Sequence, residues 1–171
     1  CRGLRCSNAL ISDDATDDLI NHLDEYMLYG VNMISVFMMG SRFGDVKGYT
    51  EEGELSPEHT ARLERILQQA DSRGIVVLVG CLYWGNSRAK WESWTQEHAN
   101  RAVERTVAWL AENDYRNTFV DVDNEGMALF GAGFDNRELV RVAKRADESI
   151  PIATNYHGAP PPEVEIGRAH V

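Results

Sequence analysis

Two hydrophobic periods alternate along this chain. Short continuous apolar runs predict buried strands at Gly3 to Ser7, Met33 to Met39, Ile75 to Cys81, Thr118 to Asp123 and Ile152 to Asn155. Between them the apolar positions recur at helical spacing. The first helix is expected to open at Thr16 as N-cap, with Asp17 and Asp18 in its first turn. It lays Leu19, Ile20, Leu23, Tyr26 and Met27 on one face before Gly30 stops it. The second starts at Ser56-Pro57, an N-cap followed by proline in the first helical position, and carries Leu63, Ile66, Leu67 and Ala70 to Gly74. A third helix, from about Ser93 to Glu112, is predicted to bury Trp94, Ala99, Ala102, Val103, Thr106 and Leu110. The fourth, opening at Asp135 or Asn136, buries Leu139, Val140, Val142, Ala143 and Ala146 and ends before Pro151.

Strands joined by single helices imply a parallel sheet with right-handed crossovers. Such a sheet is either doubly wound or part of a barrel. The first strand is followed by Cys6-Ser7-Asn8-Ala9-Leu10, with no G-x-G-x-x-G turn of the dinucleotide-binding kind. The segments after the strands are polar and aromatic: Gly40-Ser41-Arg42-Phe43-Gly44-Asp45, Leu82-Tyr83-Trp84-Gly85-Asn86, Asn124-Glu125-Gly126-Met127 and Tyr156-His157-Gly158. The returns from helix to strand are short. In a (β/α)₈ barrel the segments after the strands build the active site, and this asymmetry selects a partial TIM barrel, α/β in class, with strands one to five.

The chain has 171 residues, against about 250 for a complete barrel, and begins with Cys1. It is therefore expected to be the N-terminal part, residues 1–164, of a single barrel catalytic domain. Glu165 to Val171 reads as the translation of a sequencing adapter, so Arg168 and His170 are given no function. Such a half-barrel would expose strand edges and is expected to be inactive alone and to aggregate or dimerise.

Charge narrows the partners. With 27 acidic against 17 basic residues the net charge is −10, which repels a nucleic-acid backbone. No apolar run reaches the length of a membrane span. The three cysteines form no zinc-ligand spacing. His-Glu-x-x-His, His-x-His after the first strand and Gly-x-Ser-x-Gly are all missing, so neither metal nor cofactor is expected.

The chemistry centres on Glu125. A carboxylate just beyond a buried parallel strand suits general acid/base work. Asp121 and Asp123 precede it at two-residue spacing, which on a regular strand points all three to one side. The two Asp residues are read as hydrogen-bonded interior groups without a catalytic part. Asp121-Val122-Asp123-Asn124-Glu125, an acidic-x-x-Asn-Glu pattern at a fourth strand end, resembles the glycoside hydrolase clan A barrels, the cellulase-like and mannanase-like enzymes. The resemblance implies that Glu125 is the acid/base, that Asn124 binds the sugar 2-hydroxyl, and that a seventh strand outside this chain supplies the nucleophile of a retaining two-carboxylate mechanism. The substrate class it implies is an oligo- or polysaccharide.

The chain departs from that pattern in three places. Much of the clan has an Arg in the second strand and a His near the end of the third, and neither strand here contains one; Arg42 is the nearest replacement for the former. Gly126 stands where Pro often follows the Asn-Glu pair. Tyr83 and Trp84 are placed to stack on a sugar ring, and Asn8, Tyr156 and His157 to line the cleft. Two other classes stay open: a sugar-binding barrel without turnover, and a non-glycosidase barrel such as an aldolase or isomerase, which would carry a late-strand Lys or a phosphate loop.

Overall fold

The computed structural model describes residues 2–40, 44–85 and 90–157. Cys1, Arg42 and the adapter-like tail fall outside them. Five parallel strands lie in the order in which the chain makes them: β1 (Gly3–Arg5), β2 (Met33–Phe37), β3 (Val76–Leu82), β4 (Thr118–Asp123) and β5 (Ile152–Ala153). A doubly wound sheet reverses its strand order at a switch point. No reversal occurs among these strands, so the topology is that of a barrel wall.

The helices are α1 (Asp13–Leu28), α2 (Pro57–Asp71), α3 (Gln96–Glu112), α4 (Met127–Ala132) and α5 (Asn136–Ala146). The core lies between them and one face of the sheet. On that face Ile34, Val36, Val77, Val79, Cys81, Val120 and Val122 are all fully buried. They meet Leu23, Leu63, Ile66, Val103, Leu110 and Leu139 in one continuous cluster. The alternate positions are open toward the strand starts, where Met33, Leu78 and Phe119 are half-buried and Val76 is exposed, and closed toward the strand ends, where Phe37, Leu82, Asp121 and Asp123 are buried. One face is thus packed by helices while the other stays partly open, as the wall of a barrel would be. On that inner face Gly80 gives up its side chain to Phe37, whose Cδ1 stands 2.0 Å from where a Cβ would be.

Helix α1 starts one turn earlier than its sequence predicts. Ser12 is the N-cap, accepting from the Ala15 N–H at 3.1 Å. Thr16 is instead buried inside the helix, with its hydroxyl donating to the Ala9 carbonyl at 2.8 Å. Helix α2 begins at Pro57 behind Ser56 as expected, and its Arg62 is buried. The Arg62 guanidinium donates to Asp13 and Glu58 and to the Leu10 carbonyl, tying the segment after β1 to α2. Met27 turns outward, 40% exposed, and α3 opens behind Thr95 rather than at Ser93. Helix α4 has no counterpart among the predicted elements.

Candidate active site

Strand β4 ends at Asp123, and Asn124–Gly126 form a tight 3-10 turn into α4. This turn breaks the two-residue alternation before Glu125, so the three acidic residues do not share one direction. Asp123 is wholly buried and caps α4, its two oxygens accepting from Ala128 N–H at 2.8 Å and Leu129 N–H at 3.1 Å. Those are donors that a helix start leaves without partners. Burial raises the Asp123 carboxyl above its usual range, against the lowering effect of these bonds.

Glu125 and Gly126 both take the left-handed conformation, at φ 58° and 67°. For a residue with a side chain this costs roughly 1–2 kcal/mol. The strand β5 end supplies what holds it. The Glu125 N–H donates to Asn155 Oδ1 at 2.7 Å, and its carbonyl accepts from the His157 N–H at 3.4 Å. Asn155 also donates from Nδ2 to Asp121 Oδ2. Asp121 is itself buried, with Oδ1 accepting from the Asp123 N–H at 3.3 Å. Its carboxyl is pushed up to about 7, first by burial and then by the neighbouring Asp123, against the lowering effects of its hydrogen bonds and of Arg5.

Asn124 is buried beside Glu125. Its Oδ1 accepts from Arg5 Nη2 at 3.0 Å, whereas its Nδ2 has no partner among the described residues. A buried donor left this way costs about 1–3 kcal/mol unless a ligand or water takes it. Arg5 reaches Asn124 from β1, with its guanidinium 4.9 Å from the Phe37 ring centre and 5.4 Å from that of Tyr83. A cation from the first strand therefore stands beside the Asn-Glu pair; Arg42 lies outside the described residues.

The aromatic residues divide. Tyr83 is half-buried, edge-on to Phe37 at 5.7 Å. Trp84 is only 5% exposed, taken up by Phe134 at 4.9 Å and Trp94 at 6.1 Å. Its ring is filled by protein, which removes it as a sugar-stacking surface and makes it the support under the segment after β3. Tyr156 is half-buried, edge-on to Phe130 at 6.4 Å, and its hydroxyl accepts from Asn136 Nδ2 at 3.2 Å. His157 is exposed and joins Glu125 through its backbone. Asn8 sits against Gly44, where a Cβ would lie 2.6 Å from its Cγ. It thus packs the segment after β2, at the same strand ends. Phe130, 61% exposed on α4, is a further aromatic beside the turn.

Gly126 is required by its surroundings as well as by its φ. A Cβ there would stand 2.8 Å from both Phe130 Cε2 and Tyr156 Cδ1. Gly126→Ala is expected to destabilise the protein by about 1–2 kcal/mol through backbone strain and ring displacement. Urea unfolding should read this as a lower midpoint with unchanged slope.

No family model and no curated protein matches the sequence. Solved structures do match in shape. A glycoside hydrolase family 5 enzyme from Prevotella bryantii B14 superposes with a TM-score of 0.69 at 15% identity, over 95% of this chain and 57% of that one. An exo-β-1,4-mannosidase from Opitutaceae bacterium strain TAV5 gives 0.68 at 16% identity, over 90% of this chain and 31% of that one. A broad-specificity family 5 endoglucanase from an uncultured bovine rumen ciliate gives 0.65 at 10%, over 90% and 49%. The fold is that of the cellulase-like glycoside hydrolase barrels. The chain spans between about a third and somewhat over half of those barrels' length. Among the described residues no cluster of His, Cys, Asp and Glu could hold a metal ion, and no helix is long and apolar enough to cross a membrane. Arg5 and Asn155 are the site residues that the sequence pattern does not single out.

Proposed function

We propose that this chain forms the acid/base half of a retaining glycoside hydrolase barrel acting on an oligo- or polysaccharide. The observation that carries the reading is the pair at the end of β4: Glu125 held in a left-handed turn, beside a buried Asn124 whose amide donor is unclaimed among the described residues. A sugar hydroxyl at Asn124 would use that donor and bring the glycosidic oxygen to the Glu125 carboxyl. Glu125 would protonate the leaving oxygen in the first step and deprotonate water in the second.

The nucleophile is proposed to come from strands beyond β5. Asp121 and Asp123 are both engaged in the fold's own hydrogen bonds. A retaining pair stands about 5–5.5 Å apart, so the second carboxylate would face Glu125 across the barrel mouth. Arg5 holds the carbonyl side of Asn124 and so orients its amide toward the sugar. Tyr83 and Tyr156 offer half-exposed aromatic surface on either side. The matched structures include complexes with cellotetraose and cellopentaose, and β-1,4-linked glucans and mannans are the first substrates to try.

The test uses the barrel completed by its remaining strands, with cellotetraose and mannotetraose followed by proton NMR of the anomeric signals. Cleavage with the β-anomer formed first is the expected result. Binding without cleavage would make the protein a sugar-binding barrel, and inversion would remove the retaining mechanism.

A further inference from the structure

The left-handed turn at Glu125 depends on a side chain 30 residues further along the chain. Asn155 lies just past β5 and is exposed to solvent. Its carboxamide has two partners with opposite demands. The Glu125 N–H can only donate, so it must face the amide oxygen. An ionised Asp121 can only accept, so it must face the amide nitrogen. One orientation satisfies both, and it is the one observed.

A proton on the Asp121 oxygen that faces Asn155 ends this agreement. That oxygen then becomes a donor, opposed either to the amide N–H₂ or, after a half-turn of the carboxamide, to its own new acceptor at the expense of Glu125. In the second arrangement the N–H₂ confronts the Glu125 N–H, and the turn loses its anchor. We propose that Asn155 is a positioning residue, a carboxamide clasp that holds the Glu125 peptide in its left-handed turn while Asp121 is ionised and releases it when Asp121 takes up a proton.

The groups that face Asp121 come from several strands. Arg5 of β1 favours its ionised form, and Asp123 of β4 opposes it. Cys81 of β3, on the opposite, helix-packed face, is buried and, with its thiol raised to about 12, stays neutral. Asp121 itself lies at about 7, so the clasp would change state near neutral pH. The functional meaning of the clasp rests on the reading of Glu125 as acid/base; its existence does not, and it can be tested without substrate.

The barrel completed by its remaining strands, labelled with ¹⁵N and ¹³C, is titrated from acid to alkaline pH by NMR. Three signals are followed: the Asp121 carboxyl carbon, the Asn155 side-chain amide and the Glu125 backbone N–H. All three are expected to move with one midpoint. Exchange protection of the Glu125 N–H, corrected for the intrinsic pH dependence, should rise about tenfold above that midpoint. In Asp121→Asn and in Asn155→Ala the Glu125 signal should lose this titration, and in Asn155→Ala it should stay in its unprotected position. A Glu125 N–H that ignores the Asp121 midpoint in the wild type overturns the clasp, and so does a titration that survives in Asn155→Ala. A wild-type titration alone decides the matter if a variant does not fold. Either outcome leaves the hydrolase reading to its own assay.

Discussion

Glu125→Gln in the completed barrel is expected to lower kcat/KM on unactivated oligosaccharides by roughly 10²–10⁴, the usual contribution of a positioned general acid. Gln preserves the shape of Glu and its place in the turn, but it has no proton to give. The loss should depend on the leaving group. A sugar alkoxide is a poor leaving group and needs the proton, whereas a dinitrophenolate leaves without one. Aryl glycosides of that kind should keep their first step and be slowed in the second, where water still requires a base. Steady-state comparison of the two substrate types reads this directly. The fold argues for a specific effect: Glu125 is held by its backbone, through Asn155 and His157, so changing its side-chain end does not disturb the hydrogen bonds that shape the site.

Asp121→Asn is expected to remove a pH dependence of stability. In the native protein this carboxyl lies at about 7 rather than 3.8, mainly because it is buried. A group whose folded value is raised stabilises the fold fully below its unfolded value. That contribution is lost as pH rises through the folded one. That difference corresponds to on the order of 4 kcal/mol, lost between about pH 4 and pH 8. The variant keeps a neutral group in the same space. Its unfolding free energy should therefore fall less steeply over this window, and at pH 8 it should exceed that of the wild type. The gain is reduced by about 1 kcal/mol for the weakened bond to Asn155. Urea unfolding at several pH values measures the difference between the two curves, which cancels every contribution the two proteins share. Parallel curves would mean that Asp121 is not the buried acid described here.

The barrel wall was legible because each βα unit repeats the same two periods. Thr118 to Asp123 is a strand with the bounds that its apolar run gives, and Ser56-Pro57 starts α2 where proline at the first helical position requires it. Local ambiguity explains the errors at the edges. Ser12-Asp13-Asp14 and Thr16-Asp17-Asp18 are two start signals in succession, and only the Thr16 bond to the Ala9 carbonyl decides between them. Helix α4 covers six residues, one of them glycine, too few to establish a period.

At the site, the sequence located the Asn-Glu pair but not what holds it. A positive φ at a glutamate carries no local signal, unlike one at glycine. Arg5 meets Asn124 across 119 residues, and Asn155 meets Asp121 across 34. The register of β5 on β4 sets the second, and the first is a side chain reaching across two intervening strands of the sheet. A hint for Arg5 was available: it is the charged residue in a short strand, on the side opposite Leu4, and so faces the barrel interior. Trp84 was misleading because an aromatic after a strand suits either a sugar or a core, and Phe134 and Trp94 complete the core.

The most direct test of the central claim is to react Glu125→Gln of the completed barrel with a dinitrophenyl β-glycoside of the preferred sugar and record its intact mass. The first step then outpaces the second. One equivalent of dinitrophenolate should be released in a burst, with the mass of the protein increased by one glycosyl unit. Wild-type protein should show turnover without the adduct. If the variant loses the burst and carries no added sugar, while the wild type cleaves the same glycoside, Glu125 is not the acid/base of this barrel.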